Sequence, residues 1–155
     1  MTDDKKPISS NEYETIAANV PIVSVDLLIC NENEIVLGKR TNAPAKGEWF
    51  VPGGSVLKGE TRREAVHRVA KEEIGSDVFI DDVLGVYDHF YSTAEVGNNN
   101  SKQYLATGYV VTPTQSDLKI DNQHSEFDTF SSPFPDFHNY IRRYIRDLRK
   151  NGYKL

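Results

Sequence analysis

The chain has 155 residues, 26% charged and 38% hydrophobic, with a formal net charge of −5 and one cysteine. That size and composition suit one globular domain spanning residues 1–155, and the acidic balance gives no basic field for nucleic acid. Cys30 alone excludes an intrachain disulfide framework. The polar start MTDDKKPISSNEY lacks signal-peptide character, and no apolar run reaches membrane-spanning length, so a cytoplasmic setting is expected.

Residues 1–10 are polar and expected to be loose. Residues 11–19 suit a short helix capped by Ser10 or Asn11, with Tyr13, Ile16 and Ala17 turned inward. The run IVSVDLLIC, residues 22–30, reads as a first strand, and residues 31–34 turn it into a second at 35–40. Asp26 interrupts the apolar strand, where a carboxylate either faces a polar cleft or pairs with a cation. Cys30 lies in the same run and is expected to be a buried structural thiol.

Beyond the loop at 41–47, Trp49-Phe50-Val51 is a short strand, and Pro52-Gly53-Gly54 is expected to end it in an open loop. Thr61 to Ile74 contains no Gly or Pro and spaces Ala65, Val66, Val69 and Ala70 along one face, which predicts a helix stopped at Gly75. Strands follow at 78–80 and 83–91, then a polar loop at 92–102 and a strand at 104–111. A second polar connection at 112–126 leads to a brief strand at 127–130. From Pro135, the residues Phe137, Tyr140, Ile141, Tyr144, Ile145 and Leu148 form an amphipathic stripe for core or dimer packing. Strands before, around and after one central helix, with a helix at the end, predict a mixed α+β sandwich.

The central helix carries Glu72 and Glu73 in its last turn. Carboxylates there oppose the negative end of the helix dipole unless a cation compensates, and a hard divalent ion such as Mg²⁺ takes oxygen ligands. A solvated face with pairs such as Glu64 and Arg68 is the other reading of an isolated helix. The wider spacing decides between them. Gly54, five residues, Glu60, seven residues, Arg68, then Glu72-Glu73-Ile74-Gly75 resembles the Nudix box, Gx5Ex7REUxEExGU with U a bulky aliphatic residue. The resemblance implies an α/β/α sandwich with a mixed central sheet, and a Mg²⁺-dependent hydrolase acting on a nucleoside diphosphate joined to another group. Val69 stands where the box has a Glu after Arg, and Ala70 and Ser76 are small for aliphatic positions.

The runs PIVSVDLLI, LGKRTNAPAKGEWFVPGGSV, GVYDHFY and DNQHSEF further resemble the GDP-mannose mannosyl hydrolase branch, which also lacks the Glu replaced here by Val69. That branch implies hydrolysis of GDP-mannose, or GDP-glucose, to GDP and free hexose by water attack at the anomeric carbon. It implies a metal site of Glu73, Gln123 and the Gly53 carbonyl for Mg²⁺, or Mn²⁺ in its place; Glu72, a further metal candidate, instead resembles the multi-metal arrangement of ordinary Nudix enzymes. The branch makes His124 the general base and Arg40 the group stabilising the departing GDP. Asp26, Lys39, His89 and Tyr104 fall on the substrate side, Lys39-Arg40 as a cationic strand end beside the diphosphate.

Ser55 replaces an Arg of the branch, leaving Arg62 and Arg63 as nearby cations. Pro7-Ile8-Ser9 offers no aromatic residue at the segment that helps hold the base. The branch also implies a homodimer in which the amino-terminal segment reaches the partner. Two other functions fit these residues: a Nudix pyrophosphohydrolase splitting the diphosphate, and a non-catalytic nucleotide-binding Nudix module.

Overall fold

The computed structural model describes residues 8–41, 46–92, 101–115 and 127–155. Its elements are α1 (Ser10–Asn19), β1 (Ile22–Asn31), β2 (Glu34–Lys39), β3 (Trp49–Phe50), β4 (Gly53–Ser55), α2 (Arg62–Ile74), β5 (Val78–Tyr91), β6 (Lys102–Pro113), β7 (Phe127–Ser131) and α3 (Asn139–Lys150). Among the described residues the seven strands form one sheet in the order β3-β2-β1-β6-β5, with β4 also paired to β1 and β7 to β2. β1 and β6 run parallel and the other pairs antiparallel, so the sheet is mixed.

Side-chain alternation along β1 builds a core on each face of the sheet. Val25, Leu27 and Ile29 meet Val66, Val69 and Ile74 of α2 on one face. Leu28 faces the other way, where Tyr87 and Val110 meet Ile141, Tyr144 and Leu148 of α3. The result is the expected α/β/α sandwich.

α2 begins with a capping box: the Thr61 side chain accepts from the Glu64 N–H, and Glu64 reaches back to the Thr61 N–H. Glu64 is therefore a cap rather than the Arg68 partner. Gly75, at φ 68°, closes the helix in the left-handed conformation. Just beyond, His67 Nδ1 lies 2.7 Å from Asp77 Oδ1 and ties the helix to the start of β5. The His67 bond, with smaller contributions from its neighbours, holds the Asp77 carboxyl below its ordinary value.

Several expectations are corrected. Pro52-Gly53-Gly54 does not open into a loop. β1 keeps β2 as partner only from Ile29 to Asn31, and β4 pairs with the vacated edge at Ser24, Val25 and Asp26. The Pro52 carbonyl accepts from the Leu27 N–H at 2.8 Å, so the buried edge is satisfied. The two strands expected at 78–80 and 83–91 are one strand, bent at irregularities between Ile80 and Asp82 and between Val83 and Gly85. Ser9, rather than Ser10 or Asn11, caps α1. Phe137 is buried but precedes α3, whose cap is His138. Cys30 is only half-buried, and burial still pushes its thiol up to about 11. Among the described residues no helix is long and apolar enough to cross a membrane.

Candidate active site

Asp26 sits at the middle of β1, opposite Gly53 of β4 on one side and Gly108 of β6 on the other. Neither neighbour carries a side chain, which leaves space for a carboxylate inside the sheet. A Cβ on Gly53 would collide with Asp26 Oδ1 and lie 2.7 Å from the Val25 carbonyl oxygen. Gly53→Ala is therefore expected to cost about 2 kcal/mol through overpacking, roughly 4–8 °C of Tm in a thermal melt. An unchanged melting curve would contradict this contact.

The other Asp26 oxygen accepts a 2.5 Å hydrogen bond from the buried Tyr144 hydroxyl, and His89 Nδ1 lies 3.9 Å from the same oxygen. Burial raises the Asp26 carboxyl to about 6, against the lowering effects of the Tyr144 bond and the Arg40 charge. His89 stacks on Tyr140 with ring centroids 4.2 Å apart, and its Nε2 is buried without a hydrogen-bond partner among the described residues. Burial, with Arg143 and His138, pushes His89 down to about 4. It is thus a neutral imidazole at pH 7, suited to hydrogen bonding and poorly suited to act as a base.

A cavity of about 210 Å³ opens beside this pair. Asp26, Arg40, Gly53, His89 and Tyr104 all line it, so five predicted residues from four strands and one strand end converge there. Arg40 follows β2, where its N–H donates to the Glu48 carbonyl and its own carbonyl accepts from Gly47 N–H, closing the 41–47 connection. Lys39 does not line the cavity; its ammonium lies 5.8 Å over the Trp49 ring. Gln123 and His124 lie outside the described residues, as does Pro7.

Two aromatic contributors were not legible as site residues. Tyr13 of α1, expected to pack inward, lines the cavity and shares a 3.0 Å hydrogen bond with the Tyr104 hydroxyl. Burial, then that Tyr13 bond, raises the Tyr104 phenol well above its ordinary range. Tyr144 looked like plain core, and the signal that could have found it is Asp26 itself, a buried carboxylate in need of a donor.

β4 joins this cavity to α2. Gly53 touches Asp26 on one side, while a Cβ on Gly54 would come within 2.9 Å of Val69 Cγ2 on the other. Val69 is therefore locked under the glycine turn, fully buried. Arg68, beside it, gathers the box residues: Nη2 donates to Glu60 Oε1 and to the Ser55 carbonyl, both at 2.7 Å, and Nη1 to Glu72 Oε2 at 3.0 Å. The Glu60 side chain is fully buried and also accepts from Leu57 N–H. Chiefly the Glu60 hydrogen bond holds the Arg68 guanidinium above its ordinary value.

Glu72 is more than half exposed and ion-paired to Arg68, whereas the Glu73 Oε2 is buried. A buried carboxylate oxygen at the negative end of a helix fits a divalent cation. Among the described residues no three His, Cys, Asp or Glu side chains converge as a metal cage. A site here would combine Glu73 with neutral oxygen ligands such as the Gly53 carbonyl. Arg62 does not turn toward Ser55; its Nη1 donates to Thr107 Oγ1 at 3.2 Å.

A larger cavity of about 760 Å³ lies against α3, between Phe134, Phe137, Ile145 and the arginines Arg142, Arg146 and Arg149. It contains none of the box residues. Arg142 is held by Asp136 and Asn139, and Arg149 by the Leu155 carbonyl, so the chemistry belongs with the smaller cavity.

The NUDIX domain pattern matches residues 20–149. This chain belongs to the Nudix family. It is 50% identical over 141 residues to the low-salt glycan biosynthesis protein Agl8 of Haloferax volcanii, covering 91% of this chain and 90% of that protein. An ADP-ribose pyrophosphatase of Methanocaldococcus jannaschii is 49% identical over 67 residues, 43% of this chain and 40% of that protein. A NUDIX hydrolase from Nitrosomonas europaea shares the fold with a TM-score of 0.67 at 18% identity, over 86% of this chain and 91% of that one. Nudix hydrolases act on nucleotide-type substrates and generally use a divalent metal. In this Nudix chain the box glutamate and arginine, Glu60 and Arg68, brace the glycine turn.

Proposed function

We propose that this Nudix hydrolase cleaves a nucleotide sugar, GDP-mannose or GDP-glucose, into GDP and free hexose by water attack at the anomeric carbon. The observation that carries the reading is Val69. An apolar side chain is buried under Gly54 where the box has a carboxylate, so the helix lacks one anionic group for binding a second metal or activating water near phosphorus. Support also comes from the long match to a relative named for glycan biosynthesis, since nucleotide sugars are donors for glycans.

In this reading Glu73, the Gly53 carbonyl and Gln123 hold Mg²⁺ or Mn²⁺, which supplies charge neutralisation at the diphosphate. Arg40, at the cavity wall, binds the diphosphate and stabilises charge on the leaving GDP. Asp26 and the neutral His89 offer hydrogen bonds to sugar hydroxyls, and Tyr104 with Tyr13 encloses the substrate. His124 takes the proton from water as the oxygen bonds to the anomeric carbon and the carbon–diphosphate bond breaks. His89 is too acidic an imidazolium for that role.

The second reading is a pyrophosphohydrolase that splits the diphosphate. It is favoured by the adjacent Glu72 and Glu73 and by the match of 67 residues to an ADP-ribose pyrophosphatase. Hydrolysis of GDP-mannose in ¹⁸O-water with Mg²⁺ separates the two. Label in the free hexose is the expected outcome, and label in a phosphate product overturns carbon attack. Tight GDP-mannose binding with no product would instead identify a binding module.

A further inference from the structure

His89 lines the smaller cavity and is 3% exposed, yet its imidazole makes no hydrogen bond among the described residues. Nδ1 stands 3.9 Å from Asp26 Oδ2, beyond hydrogen-bond reach, and Nε2 is buried without a partner. Rotamer preference does not fix the ring either, because the torsion between Cβ and an aromatic ring has broad minima. The plane of this imidazole is therefore set by packing.

Among the described residues three tyrosine rings pack around it. Tyr144 meets it edge-on at 5.7 Å and 72°, and Tyr87 lies tilted at 6.2 Å and 37°. Tyr140 is the nearest of the three and lies almost parallel, at 4.2 Å and 15°. A parallel neighbour at that distance limits rotation most, since turning the imidazole drives its edge into the phenol face.

Tyr140 is itself fixed at both ends. Its hydroxyl accepts from the Phe90 N–H at 2.7 Å and donates to the Phe90 carbonyl at 2.8 Å, and its backbone N–H donates to His138 Nδ1 at 3.1 Å in the cap of α3. Phe90 follows His89 directly, so this clamp ties the stacked ring to the same stretch of β5 that carries the imidazole. Tyr140 does not line the cavity, and its ring reaches the substrate side only through His89.

We propose that Tyr140 is a positioning residue for substrate recognition: its clamped ring fixes the plane in which His89 offers a hydrogen bond to the sugar. The proposal rests on the nucleotide-sugar reading of the site. A buried imidazole with no partner of its own is completed by a substrate hydroxyl, and a ring free to turn would lose part of that bond.

Tyr140→Leu removes both the stacked ring and the clamp, and is expected to raise KM for GDP-mannose about tenfold. The inhibition constant of GDP, which carries no sugar, is expected to stay within about twofold in the same variant. Tyr140→Phe keeps the ring, and its KM is expected within about threefold of wild type. His89→Phe keeps a stacking ring without nitrogens; adding Tyr140→Leu to it is expected to raise KM by no more than about twofold further, since the bond to be aimed is already gone. Independently of any substrate, the His89 imidazole NMR signals are expected to be sharp in the wild type and Tyr140→Phe and broadened in Tyr140→Leu.

Equal losses for GDP-mannose and GDP in Tyr140→Leu would mark a general loosening of the fold and overturn the proposal. So would additive effects in the double variant, or His89 signals indifferent to Tyr140→Leu. A wild type that does not hydrolyse GDP-mannose sinks the nucleotide-sugar reading, and the sugar-recognition role with it, even where the NMR signals show His89 held by Tyr140.

Discussion

Glu73→Gln is expected to lower kcat for nucleotide-sugar hydrolysis by about two to three orders of magnitude, with a parallel loss of Mg²⁺ affinity. Glutamine keeps the size and one oxygen but removes the negative charge. The charge matters because Glu73 Oε2 is buried and because no group of three acidic, histidine or cysteine side chains among the described residues could take over. The matched control is Glu72→Gln, one position away. Glu72 is more than half exposed and paired with Arg68, so its loss is expected to change kcat by less than about tenfold. Titration of activity and of metal binding with Mg²⁺ checks both variants. Equal effects at the two positions, or wild-type metal affinity in Glu73→Gln, would remove Glu73 as the ligand.

Arg68→Met is expected to destabilise the fold by about 3 kcal/mol, or roughly 6–12 °C in Tm. The reason is the partner left behind. Glu60 is fully buried, and the guanidinium approaches both its oxygens, at 2.7 Å and 3.1 Å. Removing the cation leaves a buried carboxylate with the Leu57 N–H as one remaining donor, which places the cost at the low end for breaking such pairs. The Ser55 carbonyl loses its 2.7 Å donor as well, so the turn bearing Gly53 and Gly54 loosens. Making Glu60→Gln in the same chain removes the stranded charge and is expected to recover part of the loss. Thermal melts of the two single variants and the double variant test this, and additive losses would show that the pair is not coupled.

Local rules accounted for much of the fold. α2 was legible because its apolar spacing, the absence of Gly and Pro, and Gly75 act within a few turns of each other. Its capping box uses Thr61 and Glu64, three residues apart. The strands expected at 22–30 and 104–111 followed from their β-branched and aromatic content, and run one residue further in β1 and two further at each end of β6. What periodicity missed was non-local or terminal. β4 exists because β1 parts from β2 after three paired residues, and no local feature of Pro52-Gly53-Gly54 records that edge. Phe137 matched the helical stripe, yet His138 caps α3 after it, because burial periodicity is blind to where backbone donors find a partner.

The candidate site divides along the same line. The sequence by itself determined the Nudix box, the substitution at Val69 and the candidates Asp26 and Arg40, since residue identity and spacing are written in the chain, while His89 and Tyr104 entered only through the resemblance to the mannosyl hydrolase branch. Only the tertiary structure decided their relations. It set Asp26 between two glycines and under Tyr144, 118 residues away, brought Tyr13 to Tyr104, and turned Lys39 toward Trp49. It also laid Tyr140 of α3 against His89. The physical reason is that spacing within one element fixes which side chains share a face. The partner of a buried polar group is chosen by packing between elements far apart in sequence.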